Sequence, residues 1–172
     1  YGKEYESSAW TDVAQYNYFD KDFRLHQINT LKFIASIADG ARCDMAHCVI
    51  NRIFAKCWEN ELRSLGYSTP TTEFWTEATT AVKSQYPDFI FLAECYHDTE
   101  PELVKYGFDY VYDKIPYDRL RDNDVYDFIQ QIWKRSRNDK SHSCFFTENH
   151  DENRAVRVFG STQKANAAAS CL

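Results

Sequence analysis

Apolar positions along the chain switch between a helical and a strand-like period. From Asp22 to Ala38, the residues Phe23, Ile28, Leu31, Ile34, Ala35 and Ile37 recur near helical spacing. Asp20 or Asp22 stands where a helix cap belongs, and Asp39-Gly40 closes the helix, glycine suiting the left-handed position past its end. A strand is predicted over Ala41–Ala46. A mixed segment over 47–69 follows, with Val49, Ile50, Ile53 and Phe54 at helical spacing and Gly66–Pro70 as punctuation. A second helix is predicted over Thr72–Gln85, stopped by Pro87. Asp88–Cys95 is a near-continuous apolar run, which predicts a parallel strand buried on both faces. Pro101–Tyr106 reads as a short helix and Phe108–Tyr112 as a third strand. Asp122–Arg135 reads as a helix with Val125, Phe128, Ile129, Ile132 and Trp133 on one side, its acidic start and basic finish suiting the helix dipole. Ser143–Thr147 is a fourth strand. Residues 1–22 read as a leading loop, and the tail from Arg154 starts helical and fades over 158–172.

Helices and strands alternating in this way predict an α/β architecture with a parallel sheet. No repeat, low-complexity tract or linker divides the chain, so 1–172 is expected to be a single domain.

Composition narrows the function classes. The chain has 172 residues, 44% of them hydrophobic, and a net charge of -6, which describes a soluble globular protein. An acidic balance argues against a nucleic-acid partner, since neutralising phosphates takes clustered Lys and Arg. No apolar run approaches the roughly 20 residues that a membrane span requires. The six cysteines show no metal-ligand spacing. Cys43, Cys48, Cys95 and Cys144 lie among apolar neighbours as buried small residues do, which tilts the expected compartment toward a reducing, cytoplasmic one. Aromatic residues make up 16% of the chain, with twelve Tyr and four Trp. Such rings pack cores, and they also stack on the apolar faces of sugars.

Three acids stand at or just past predicted strand ends: Asp44, Glu94 and Asp151. In parallel α/β folds the functional groups collect at the carboxyl ends of strands, so these three are expected to converge on one mouth. Arg42 and Asp44 are two residues apart, hence on one face of a strand, and the arginine keeps the aspartate ionised as a carboxylate nucleophile requires. Charges from Asp44 and Asp151 would raise the pKa of Glu94 and keep it protonated as a general acid. That division of labour is the arrangement of retaining glycoside hydrolysis, with two carboxyl groups about 5–5.5 Å apart. Asp151, beside His150, would hold sugar hydroxyls while positive charge develops on the ring. An Arg–Asp pair by itself is more often a structural ion pair, and each acid alone could be a helix cap or a solvated loop carboxylate.

The same segments carry a family resemblance. Asp39-Gly-Ala-Arg-Cys-Asp-Met-Ala46 resembles the nucleophile motif of the alpha-amylase family of glycoside hydrolases and transglycosidases. Phe91-Leu-Ala-Glu94 is similar to its general-acid motif, and Phe146-Thr-Glu-Asn-His-Asp-Glu-Asn-Arg154 to the motif bearing its histidine and third aspartate. The resemblance runs from about Trp10 to Arg157. It implies Asp44 as nucleophile, Glu94 as acid/base and Asp151 as transition-state stabiliser, with Arg42 orienting the nucleophile and His150 contacting sugar. His47 and Cys48 stand where the family often has Lys-His, which makes His47 a sugar-contacting candidate and leaves acceptor preference open.

The fold it implies is a partial (β/α)8 TIM barrel, roughly strands four to seven with their helices. The family's Asn-His motif at the third strand is absent, and the missing remainder of the barrel would be a partner for activity, the isolated piece being inactive. The partner by resemblance is an α-linked glucan such as starch, glycogen or maltodextrin. Cofactors: none is evident. Structural calcium is implied for the complete enzyme through a domain inserted after the third strand, so no metal ligand is assigned here. Two rivals remain. One is a non-catalytic carbohydrate-binding or regulatory relative, which has no need of all three acids. The other is a metal-dependent hydrolase built on Asp44, His47, His150 and Asp151, which a chelator would inactivate.

Overall fold

The computed structural model describes residues 1–4, 9–137 and 142–172, so 5–8 of the expected leading loop lie outside the described residues. Helices alternate with short parallel strands, as the two periods of the sequence predict. The described residues form two compact units, Tyr1–Asp109 and Tyr110–Leu172.

In the first unit, Asp20 caps α1 (Lys21–Ala35) by accepting the Phe23 N–H at 2.8 Å. The helix stops at Ala35, earlier than expected, with Ser36 as its cap. Gly40 is therefore not a helix terminator, a correction with a steric cause. It opens β1 (Gly40–Cys43) at a point of close approach, where a Cβ would lie 2.7 Å from the Ile90 carbonyl oxygen. Past β1 comes a 3-10 turn over Ala46–Val49, then α2 (Asn51–Cys57) and α3 (Glu59–Ser64), which resolve the mixed segment. Phe54 of α2 and Leu62 of α3 pack with Phe19 into one buried cluster. The leading segment is not all loop either, because Gly2 and Trp10 form an antiparallel bridge.

Helix α4 (Phe74–Lys83) buries Phe74, Trp75, Ala78, Thr79 and Val82, the helical face its sequence predicts. The indole N–H of Trp75 donates to the Ala46 carbonyl at 2.7 Å, and its ring meets Phe108 edge-on. Strand β2 (Ile90–Ala93) runs parallel to β1, with Gly40 opposite Ile90, Arg42 opposite Leu92 and Cys43 opposite Ala93. Burial on both faces was expected for this run and is not what occurs. Phe91 and Ala93 are fully buried, whereas Ile90 is 44% exposed and Leu92 half-buried. The strand pleat sends Phe91 and Ala93 one way, where Phe91 meets Phe89 and Phe108. Ile90 and Leu92 share the other face with Gly40 and Arg42 of β1, a face with open surface. α5 (Glu100–Lys105) completes the unit, with Pro101 in its first turn.

The second unit begins with β3 (Tyr110–Tyr112), followed by α6 (Ile115–Arg121), a seven-residue helix that periodicity does not reveal. α7 (Val125–Arg137) starts three residues later than expected and buries Phe128, while Val125, Ile129 and Trp133 stay more than half exposed. β4 (Ser143–Cys144) is shorter than expected and pairs parallel with β3, Val111 opposite Ser143. Tyr117 of α6 is fully buried and stacks on Phe146. The tail does not fade as expected: α8 (Ala155–Phe159) ends at Gly160, whose φ of +82° breaks the helix, and Ser161 caps α9 (Thr162–Cys171). Among the described residues, no helix is long and apolar enough to cross a membrane.

Candidate active site

Arg42 connects the two acids of the first unit. β1 ends at Cys43, so Asp44 sits one residue past the strand rather than on it, and Arg42 Nη1 pairs with Asp44 Oδ1. Glu94 stands one residue past β2, and the β1–β2 register, carried one step further, sets it opposite Asp44. Arg42 Nη2 lies 2.9 Å from Glu94 Oε1, so one guanidinium serves both carboxylates.

The two carboxylates differ sharply in surroundings. The Asp44 side chain is 74% exposed, and that of Glu94 is 5% exposed. A buried carboxylate costs several kcal/mol unless it is paired and hydrogen-bonded, and Glu94 has such partners. Besides Arg42, the Tyr96 hydroxyl donates to Oε1 at 2.9 Å and the Met45 N–H donates to Oε2 at 2.7 Å. Met45 has a left-handed backbone (φ 44°), which turns the chain after Asp44 so that this N–H meets Glu94. The Ala46 N–H then donates to the Glu94 carbonyl at 2.9 Å, tying the two strand ends together. Cys43, one residue before Asp44, is buried, and burial pushes its thiol up to about 12 against the pull of Arg42.

His47, expected to contact sugar, is fully buried. Its Nε2 lies 2.6 Å from Glu4 Oε1, and the same oxygen lies 2.9 Å from His97 Nε2. Glu4, His47 and His97 offer three ligand atoms within 4.8 Å of one another, and Asp44 is outside this cluster. Burial is the main cause that pushes the neighbouring Cys48 thiol up to about 12, with Glu4 adding to it.

Asp151 and His150 belong to the second unit, in the loop after β4. Both side chains are more than half exposed, and His150 Nε2 lies 3.2 Å from Asp151 Oδ2. Asn149 shapes this loop: its Oδ1 accepts the N–H groups of Asp151 and Glu152 at 3.0 and 2.9 Å. Glu148 anchors the loop to α8. The Ala155 N–H first, and Arg154 next, hold its carboxyl below the usual range. Glu152 is held low chiefly by its hydrogen bond with Lys114.

The structure thus gathers Arg42, Asp44 and Glu94 at one strand-end rim, pairs His150 with Asp151 in the second unit, and turns His47 inward. Tyr96, the Met45 N–H, Glu4 and His97 were not anticipated. Tyr96 had a usable signal, two residues past Glu94 with the same pleat parity. Glu4 had none, because 93 residues separate it from His97.

No protein-family model matches the chain, and no curated protein matches it. Solved structures do. An alpha-amylase from Lactobacillus plantarum is 24% identical, with a TM-score of 0.64, over 91% of this chain and 37% of the other. An alpha-amylase from H. orenii is 19% identical, with a TM-score of 0.68, over 94% and 33%. A debranching enzyme from Nostoc punctiforme is 15% identical, with a TM-score of 0.61, over 90% and 33%. The chain spans about a third of the length of these structures. Its fold is α/β and matches a part of their (β/α)8 barrel, with parallel strands that do not close into a ring.

Proposed function

We propose that the chain carries the catalytic strand ends of a retaining glycoside hydrolase or transglycosidase acting on α-linked glucans. The observation that carries this reading is the exposed Asp44 and the buried Glu94 sharing Arg42 at the ends of adjacent parallel strands. The solved structures of similar fold support it, being of two alpha-amylases and a debranching enzyme.

In the first step, a carboxylate oxygen of Asp44 forms a bond to the anomeric carbon as the glycosidic C–O bond breaks. Glu94 gives its proton to the departing oxygen. In the second step, Glu94 takes a proton from water or from an acceptor hydroxyl, which attacks the anomeric carbon and releases Asp44 with net retention. The family resemblance would give Asp151 and His150 the task of holding sugar hydroxyls while the ring carries positive charge. Arg42 keeps the nucleophile aimed. Hydrolysis and transfer share these groups and differ in how well water is excluded.

Mass spectrometry of the protein that carries this chain, after treatment with an activated fluorosugar, tests the reading. The expected product is a glycosyl adduct on the Asp44 peptide, absent in Asp44→Asn. Turnover of maltodextrin that persists in Asp44→Asn, or an adduct on another residue, would overturn it. A protein that binds maltodextrin, forms no adduct and turns nothing over would be the non-catalytic relative.

A further inference from the structure

We infer that Glu4, His47 and His97 form a binding site for one divalent cation of the zinc class, separate from the sugar chemistry. Two imidazole nitrogens and one carboxylate oxygen converge there from three distant parts of the chain. One part precedes α1, one follows β1, and one follows β2.

The donor set selects the class of ion. Calcium and magnesium take shells of oxygen ligands, whereas two imidazoles with one carboxylate suit zinc and its late first-row neighbours. Glu4 Oε1 lies 2.6 Å from His47 Nε2 and 2.9 Å from His97 Nε2, so the three groups meet through hydrogen bonds at a single carboxylate oxygen. Zinc bonds of about 2.0–2.2 Å set tetrahedral ligand atoms about 3.3 Å apart, so admitting the ion lengthens the two contacts of Glu4 by roughly 0.4–0.7 Å. Exposure provides both rigidity and access. The His47 side chain is fully buried, that of Glu4 is 19% exposed and that of His97 is 54% exposed. The ion would enter on the His97 side, where water fills the fourth position.

Two further observations mark the place. His97 and Asp98 are consecutive non-glycine residues with left-handed backbone, φ 60° and 57°, a strained conformation that persists only where the surroundings enforce it. His47 Nδ1 is buried with no hydrogen-bond partner among the described residues, so Nε2, aimed at Glu4, is where the ring finds polar company. A cation at Nε2 would clip the segment ahead of α1 to the loops that follow Asp44 and Glu94.

Zinc titration of the chelator-stripped protein that carries this chain, followed by calorimetry, tests the site. The expected result is one Zn²⁺ per chain, a melting temperature that rises with Zn²⁺, and no displacement by excess Ca²⁺. The exposed His97→Ala and the isosteric Glu4→Gln should each weaken Zn²⁺ at least tenfold and lose the thermal shift, with unchanged circular dichroism. Absence of zinc binding to the parent chain would overturn the proposal. So would undiminished binding in both variants, or binding that disappears only when the thiols are alkylated, which would assign the ion to cysteines.

Discussion

Arg42 touches two acids, and its geometry ranks them. In the pair with Asp44, one partner is 74% exposed, and ion pairs of that kind contribute about 0–1 kcal/mol. In the pair with Glu94, the side chains are 26% and 5% exposed and the closest N–O distance is 2.9 Å. Unit charges about 4 Å apart at an effective dielectric of about 20 attract by about 4 kcal/mol, and desolvation cancels a large part. A coupling of about 1–3 kcal/mol is left for Arg42–Glu94. Urea unfolding of the parent chain, Arg42→Met, Glu94→Gln and the double variant measures that coupling, and a second cycle with Asp44→Asn measures the other. Glutamine keeps the shape and the acceptor for Met45, so the first cycle isolates the charge. An Arg42–Asp44 coupling equal to or larger than the Arg42–Glu94 coupling would refute the ranking.

Two more outcomes follow from groups away from the rim. Burial raises the Glu73 carboxyl above its ordinary 4.5, outweighing the Asn51 N–H and Arg24. A raised acid pKa means that the folded chain holds the proton more tightly, so this contribution is full below the unfolded value and is lost as pH rises through the folded one. Glu73→Gln should therefore gain on the parent chain in urea midpoint from about pH 4 to about pH 7, and a constant difference would count against the assignment. At Gly107, φ is +103° and a Cβ would sit 2.4 Å from Thr79 Oγ1, so Gly107→Ala should cost about 2–4 kcal/mol. A thermal midpoint within error of the parent would show that Thr79 yields freely.

The elements that could be read from the sequence were those whose burial leaves a long periodic trace. α4 buries Phe74, Trp75, Ala78 and Val82 at helical intervals, and its span could be read to within about two residues. α6 escaped notice because seven residues beginning Ile-Pro give no full period. Composition alone overstates the burial of β2. Ile90 and Leu92 are apolar yet lie on the open face, a distinction that pleat and neighbours make and hydrophobicity does not. Of the site, the Arg42–Asp44 pairing follows from spacing alone. The claim of Glu94 on the same guanidinium depends on strand register, which no local pattern encodes, and the inward turn of His47 depends on a glutamate 43 residues away.

That glutamate sets the order of assembly. Its contact with His97 spans 93 positions, against 50 between the paired residues of β1 and β2, and chain entropy makes the longer closure the later event in folding. The strands and α4 can associate first over these shorter spans, leaving the loop beyond Glu94 to settle when Glu4 reaches His97. Amide protons at Met45 and Ala46, which report on that settling, then belong to the part of the unit that opens most readily without global unfolding.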